Sequence, residues 1–277
     1  PQGNNLSDSN SVAVAGMAVL NDVRGEVNAW VDDATITATD GDISVSATDI
    51  GKLKATADST ATSSGGSAYG TGTSLAANGT ISTNVLQGSA SAWVVDSTLT
   101  TINSDATDSG DINVEAINGA ELTATTLQAT TTGDTAGSFI IAFKTVGWES
   151  QNILFNAIDA LIGNRIGTQS VSEATAYIQD SEINAADDLN VLATSSSVLT
   201  AELSNTSTAA ASALLSATAS NYAGILASNA VSGGANAYID NSNISVGETI
   251  EAGGSRNVAA PEVSSIDSKT ARKAPTS

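Results

Sequence analysis

The groups best able to do chemistry in this chain are carboxylates, and they gather at turns: Asp40-Gly41-Asp42, the stretch Asp105 to Asp111, and Asp187-Asp188. Stacked acidic turns could line up oxygen ligands around calcium. The repeating Gly-Gly-x-Gly-x-Asp signature of calcium-loaded rolls is missing, and so is an EF-hand loop, which leaves solvated turn aspartates as the simpler reading. Paired carboxylates such as Asp32/Asp33 and Asp187/Asp188 could in principle serve glycoside hydrolysis. Adjacent residues on a strand point to opposite faces, however, which works against a shared site.

Nothing else completes a catalytic set. There is no His and no Cys, so imidazole bases, thiolates, disulfides and zinc-thiolate sites are excluded together. The bases are Arg24, Lys52, Lys54, Lys144, Arg165, Arg256, Lys269, Arg272 and Lys273, scattered without convergence. Gly65-Gly66 and Gly233-Gly234 read as bends, not as a phosphate cradle. Alternating threonines at Thr35, Thr37 and Thr39, and at Thr123 and Thr125, would suit a flat ice- or crystal-binding face. The matching positions in later repeats are Glu182/Asn184 and Asn243/Ser245, so that face does not persist. No catalytic, cofactor-binding or metal residue is therefore assigned, and the chain is read as a non-enzyme.

The net charge of −20 repels phosphate backbones and anionic lipid, so neither nucleic acid nor a membrane surface is expected as a partner. No apolar run approaches the ~20 residues needed to span a bilayer. Ser11–Leu20 is apolar but lacks a basic flank and does not read as a signal peptide. Aromatics are only 4% of the chain, and Ala, Val and Ile dominate its apolar residues, which suits a thin interior between closely spaced backbones.

Self-comparison is the most informative step. One phrase occurs four times: NAWVDDA at Asn28–Ala34, SAWVVDS at Ser91–Ser97, TAYIQDS at Thr175–Ser181 and NAYIDNS at Asn236–Ser242. Its aromatics, Trp30, Trp93, Tyr177 and Tyr238, are spaced by 63, 84 and 61 residues. The unit is about sixty residues, with about twenty inserted in the middle interval. A second phrase follows each: GDISVSA (Gly41–Ala47), GDINVEA (Gly110–Ala116), DDLNVLA (Asp187–Ala193) and the weaker GETIEAG (Gly247–Gly253).

The apolar period is two. Ile36 and Ala38 alternate with threonines, and Ile43, Val45 and Ala47 alternate with Ser44, Ser46 and Thr48. Half-buried strands repeating without intervening helices must stack on their neighbours. The fold class expected is all-β, an elongated β-solenoid like a parallel β-helix, built from sixty-residue repeats over residues 11–253. At roughly twenty residues per coil and about 4.8 Å per coil, the chain would form some fourteen coils in a rod of about 65 Å. The anchor aromatics would then sit about 14 Å apart as corner or core fillers, unable to stack.

Three segments depart from the pattern. From Gly147 to Gly163 the apolar residues Ile153, Leu154, Ala157, Ile158, Leu161 and Ile162 fall at helical spacing, which predicts one short amphipathic helix over about 148–163. Residues 1–10 read as an N-terminal extension, and residues 254–277, with Lys269, Arg272, Lys273, Pro261 and Pro275, as a flexible C-terminal tail or linker.

The ordered motifs A-[WY]-[VI]-x-[DN]-[SA] and GD-[IL]-x-V-x-A, interrupted by small-residue strands, resemble those of the giant repetitive haemagglutinin-like surface proteins of bacteria. The likeness covers about Ser11 to Gly253 and is carried by fourfold recurrence in order. It implies β-helical architecture, export to the cell surface, and a role in adhesion or cell contact. The expectation is thus a structural or adhesive extracellular repeat protein, part of a surface fibre, that self-associates end to end or continues into neighbouring repeats, with a cell-surface or glycan ligand. The alternative is a carbohydrate-binding or carbohydrate-cleaving solenoid.

Overall fold

The computed structural model describes residues 10–64, 72–104, 110–149, 168–169, 171–210, 219–247 and 255–273. Among them every regular element is a strand. The first repeat supplies β1 (Ser11–Asp32), β2 (Thr35–Thr39) and β3 (Ile43–Thr62). The second supplies β4 (Ser74–Val95), β5 (Thr98–Ile102) and β6 (Ile112–Thr132). The third supplies β7 (Thr135–Val146), β8 (Trp148–Glu149), β9 (Thr168–Gln169), β10 (Ser172–Gln179), β11 (Glu182–Ala185) and β12 (Leu189–Ala209). The fourth supplies β13 (Ser220–Val231), β14 (Gly233–Asp240), β15 (Asn243–Val246), β16 (Arg256–Ala259) and β17 (Glu262–Lys273).

These strands stack as three parallel sheets, an arrangement consistent with a β-solenoid. Sheet A runs β1, β4, then β7 with β10, then β13 with β14. Sheet B runs β2, β5, β11, β15. Sheet C runs β3, β6, β12, then β16 with β17. Two long walls thus face each other, closed at one end by a short third side.

One whole repeat makes one circuit, because Trp30 pairs with Trp93 and Ile36 with Leu99. The expectation of twenty residues per coil and a fourteen-coil rod is therefore corrected. Four circuits at about 4.8 Å stand about 19 Å high, while a strand of 22 residues at about 3.3 Å each runs about 73 Å. The body is a slab, wider than it is tall. The reason lies in uninterrupted alternation: β3 and β4 keep one parity for 20 and 22 residues with no turn signal to fold them into shorter sides.

The insertion leaves sheet A at one point. Paired residues are offset by 60 at Leu75/Thr135 and by 84 at Ser89/Glu173, so 24 extra residues depart between β7 and β10. Gly147 makes the exit at φ +70°, and a Cβ there would fall 2.1 Å from the Ser232 carbonyl oxygen. In the fourth circuit, Ser232 alone spans the same gap, its N–H donating to Val146 O and its carbonyl accepting from Ser172 N. At the neck of the excursion β8 and β9 pair antiparallel. Of the helix expected over 148–163, Trp148–Glu149 is strand and the remainder lies outside the described residues.

The segment 254–277 differs from the tail expected of it. Arg256–Ala259 and Glu262–Lys273 are strands that extend sheet C against β12. Open parallel edges supply backbone partners even to a polar sequence, so β17 pairs although all its residues are exposed. Of residues 1–10 only Asn10 is described; its side-chain oxygen accepts from the Thr73 N–H at 2.9 Å.

The interior changes character along the walls. Beside the third side like packs on like: Ile43, Ile112 and Leu189; Val45, Val114 and Val191; Ala92, Ala176 and Ala237. The middle is a leucine zone around Leu53, Leu122 and Leu199. Each fully buried Leu or Ile there contributes about 1.5–3 kcal/mol. The far end is filled by small polar residues bonded across the walls. Ser59 Oγ donates to Asn78 Oδ1 at 2.7 Å, and Asn78 Nδ2 donates to the Ser59 and Ala129 carbonyls at 3.1 and 3.2 Å.

Candidate functional site

The four anchor phrases build one corner, where sheet A meets sheet B. Asp33, Asp96, Asp180 and Asn241 all take positive φ, between 45° and 57° with Asp40 of the next corner included. Asp and Asn tolerate this left-handed turn better than other side chains, which accounts for their recurrence. The residue that follows forms a ladder. Ser97 Oγ accepts from Ala34 N, Ser181 Oγ from Ser97 N and Ser242 Oγ from Ser181 N, each at 3.1 Å. Each hydroxyl in turn donates to a carbonyl two residues back, at 2.6 to 2.8 Å.

Three residues before that turn the anchor aromatics stand on the outer face of sheet A. Their ring centroids are 5.5 Å apart for Trp30–Trp93, 6.0 Å for Trp93–Tyr177 and 5.0 Å for Tyr177–Tyr238, with planes 3° to 12° from parallel. The expected 14 Å separation is overturned: one circuit per repeat puts successive anchors on adjacent strands. Ring faces are covered by one another, and the outward face of Trp30 leaves that ring 60% exposed. Burial, with Tyr238 and Asp32 nearby, pushes the Tyr177 hydroxyl above its ordinary range. Asn28, Ser91, Thr175 and Asn236 form a polar row two residues before the rings.

The second corner, between sheets B and C, absorbs the acidic turns. Asp42 Oδ1 accepts from Asp111 N at 2.9 Å, Asp111 Oδ1 from Asp188 N at 3.0 Å, and Asp188 Oδ1 from Ser255 N at 2.7 Å. Asp187 reaches the other way, its Oδ2 accepting from Gly110 N and Asn103 Nδ2, both at 3.1 Å. The pair Asp187/Asp188 therefore divides between neighbouring circuits. Of Asp32/Asp33, the first is the exposed last residue of β1 and the second makes the first corner. Residues 105–109 of the acidic stretch, and Gly65-Gly66, lie outside the described residues. Among the described residues no three carboxylates form a group able to hold a metal ion. The threonine rows of β2 and β5 pair Thr35 with Thr98 and Thr37 with Thr100, then give way to Glu182 and Asn184.

Lys144, one of the scattered bases, has an unforeseen place. It is 0% exposed, pointing inward from β7, and its Nζ donates to the Ala124 carbonyl on the opposite wall at 2.8 Å and to that of Glu202 at 3.4 Å. Burial pushes its pKa down to about 8, partly opposed by Glu202. Asn84 and Asn229 pair with it on either side, so it interrupts an asparagine row that a sequence comparison at circuit spacing would have revealed.

No protein-family model, no curated protein and no solved structure matches this chain. What the geometry offers is a stacking surface. The two corners and the aromatic ladder each join one circuit to the next. Among the described residues, one shallow depression lies on the fourth circuit around Ile239, Ile244 and Val258, and another spans the third and fourth circuits around Phe139 and Tyr222. No helix among the described residues is long and apolar enough to cross a membrane.

Proposed function

We propose that this chain is a structural or adhesive extracellular repeat protein of β-solenoid type, a piece of a bacterial surface fibre or adhesin that acts through stiffness and repeated surface, without catalysis. One observation carries this reading above the rest. The polar groups that could have done chemistry at the two corners are engaged with backbone amides of the next circuit, from Ser97 and Ser181 to Asp42, Asp111 and Asp188. They serve assembly. Placement at the cell surface, and a cell-surface or glycan ligand, follow from the resemblance of the repeated motifs to haemagglutinin-like proteins.

Beads coated with the purified chain test this reading. Calcium-independent retention on bacterial or host cell surfaces, together with a stiff body under atomic force indentation, is the expected result. Beads that bind no surface, or a body that deforms like a flexible polymer, would overturn it.

A carbohydrate-binding solenoid is the second reading, favoured by the aromatic row beside Asn28, Thr175 and Asn236. Sugars stack on open ring faces, and here most faces are taken by the neighbouring ring, leaving edges outward. Selective capture of one glycan class on an array, lost in Trp93→Ala, would favour it, and depolymerisation of that glycan would make the chain an enzyme.

A further inference from the structure

We infer that the outer face of sheet A, over the rows that run from Val12 to Ala18 of β1, is a docking surface for a second copy of this chain, which packs on it face to face about a two-fold axis parallel to the stack. This rests on the structural reading above and gives it a partner and a geometry.

The face is apolar by sequence. The outward positions from Val12 to Ala18, with those paired to them on β4, β7 and β13, are sixteen side chains without a charge. Past Leu20 the same side of β1 takes Asp22, Arg24 and Glu26, and the outer face of sheet C carries Lys52, Lys54, Glu121 and Glu202. Neighbouring strands do not cover the patch. Leu75 and Phe139 stand on β4 and β7, each with a strand on both sides, and are still 42% and 47% exposed. A contiguous apolar area on a chain of net charge −20 marks a contact surface.

A second copy is the partner that fits. A charged partner would find nothing here to pair with, whereas an identical face matches in chemistry and in size. Eight residues along the strands and four strands across measure about 26 by 19 Å, so two such faces remove about 1,000 Å² from water, the lower bound for a specific interface.

The excursion fixes the direction. It leaves at Gly147, whose N–H donates to the Leu86 carbonyl at one end of this face. A two-fold axis along the stack runs the strands of the two copies in opposite directions and sets the two exits at opposite ends of the joint. With that axis midway between the rows of Gly137 and Phe139, each circuit meets its own equivalent, and Leu75 faces Ile81 of the second copy. The Phe139 ring lies over Gly224, where an added Cβ would come within 2.7 Å of it, and there it meets Tyr222 of the second copy. The symmetry makes this aromatic contact twice. Gly79 and Gly137, with nothing within 4 Å of an added Cβ, let the two sheets close to about 10 Å. Arg272 reaches the rim of the depression beside Phe139 and Tyr222, but its Nη1 donates to the Ala223 carbonyl at 3.1 Å. What opposes the joint is the net charge of each copy, so screening by salt should tighten it.

The test is sedimentation equilibrium of the purified 277-residue chain at concentrations up to about 1 mM. A reversible dimer is expected that tightens as sodium chloride rises from about 0.02 to about 0.5 M. Phe139→Asp should weaken it about a hundredfold, because the substitution enters the joint twice. Leu75→Lys should do the same, and adding Ile81→Glu should win back about tenfold, since the two positions lie about 20 Å apart within one copy and meet only across the joint. All three positions are outward-facing, and circular dichroism checks that the variants fold. Monomer at every concentration, a dimer that loosens with salt, a dimer indifferent to Phe139→Asp and Leu75→Lys, or no recovery in the double variant would overturn the joint. Monomer that floats with zwitterionic vesicles would overturn it in favour of lipid. Monomer that still adheres to cells would overturn it while leaving the structural reading intact, whereas a dimer without adhesion would uphold the joint and count against the adhesive role.

Discussion

Trp93 and Tyr177 lie 84 residues apart in the chain, yet their rings stack 6.0 Å apart with planes 5° from parallel. The excursion between β7 and β10 is thus looped out without disturbing the register of the circuits. Aromatic pairs of this kind add about 0.5–1.5 kcal/mol beyond the area they bury. Tyr177→Ala, which breaks two of them, is expected to lower the urea midpoint by the equivalent of about 2–3 kcal/mol, and Trp30→Ala, which breaks one at the edge, by less than half that. A Trp30→Phe variant should also lose any exciton couplet that the Trp30–Trp93 pair gives in circular dichroism.

Lys144 is a buried cation held by carbonyl oxygens, with its pKa pushed down to about 8 from 10.5. Folding therefore favours loss of its proton. The cost of burying the ammonium is fully present below pH 8 and fades as the pH rises toward 10.5. Lys144→Met is expected to stabilise the fold at pH 7 by about 1–3 kcal/mol, with the advantage shrinking at pH 10. Paired urea titrations at the two pH values check this, and an equal gain at both would contradict the titration argument.

Asp49 points into the interior opposite Gly25 and Gly88, where an added Cβ would come within 2.7 and 2.6 Å of its Oδ2. Burial raises its pKa, against the lowering effect of a bond from the Ser89 backbone. A raised folded-state pKa means that the stabilising effect is complete below the unfolded value and lost as the pH climbs through the folded one. Asp49→Asn should therefore be more stable than the parent at pH 7.5, by a few tenths to about 1 kcal/mol after solvent screening, and no more stable near pH 3. Ala at Gly88 should be destabilising at both.

The serine ladder makes a graded prediction. Ser181 is buried, and its loss leaves the Ser97 N–H without an acceptor, so Ser181→Ala should cost about 1–2 kcal/mol. Ser242→Ala, at the exposed edge, should cost less than half as much. Asp96→Val should add about 1–2 kcal/mol of left-handed strain that Asp96→Gly avoids, as thermal melts of the two will show.

The sequence by itself determined the strands, their parity and the corners. Alternation at Ile43, Val45 and Ala47 is a local property of a pleated chain with one buried face, and Asp or Asn three residues after each aromatic is the local signature of a left-handed turn. The fourfold phrase also revealed the array and the insertion. It left open whether sixty residues make one circuit or three, because parity along a strand carries no information about where the chain returns beside itself. Only the tertiary structure decided that, by bringing Trp30 beside Trp93 and Leu53 beside Leu122, and the aromatic ladder and the slab shape follow from it. The burial of Lys144 and the strands at Arg256–Ala259 and Glu262–Lys273 were decided there too, since both depend on partners 20 to 67 residues away.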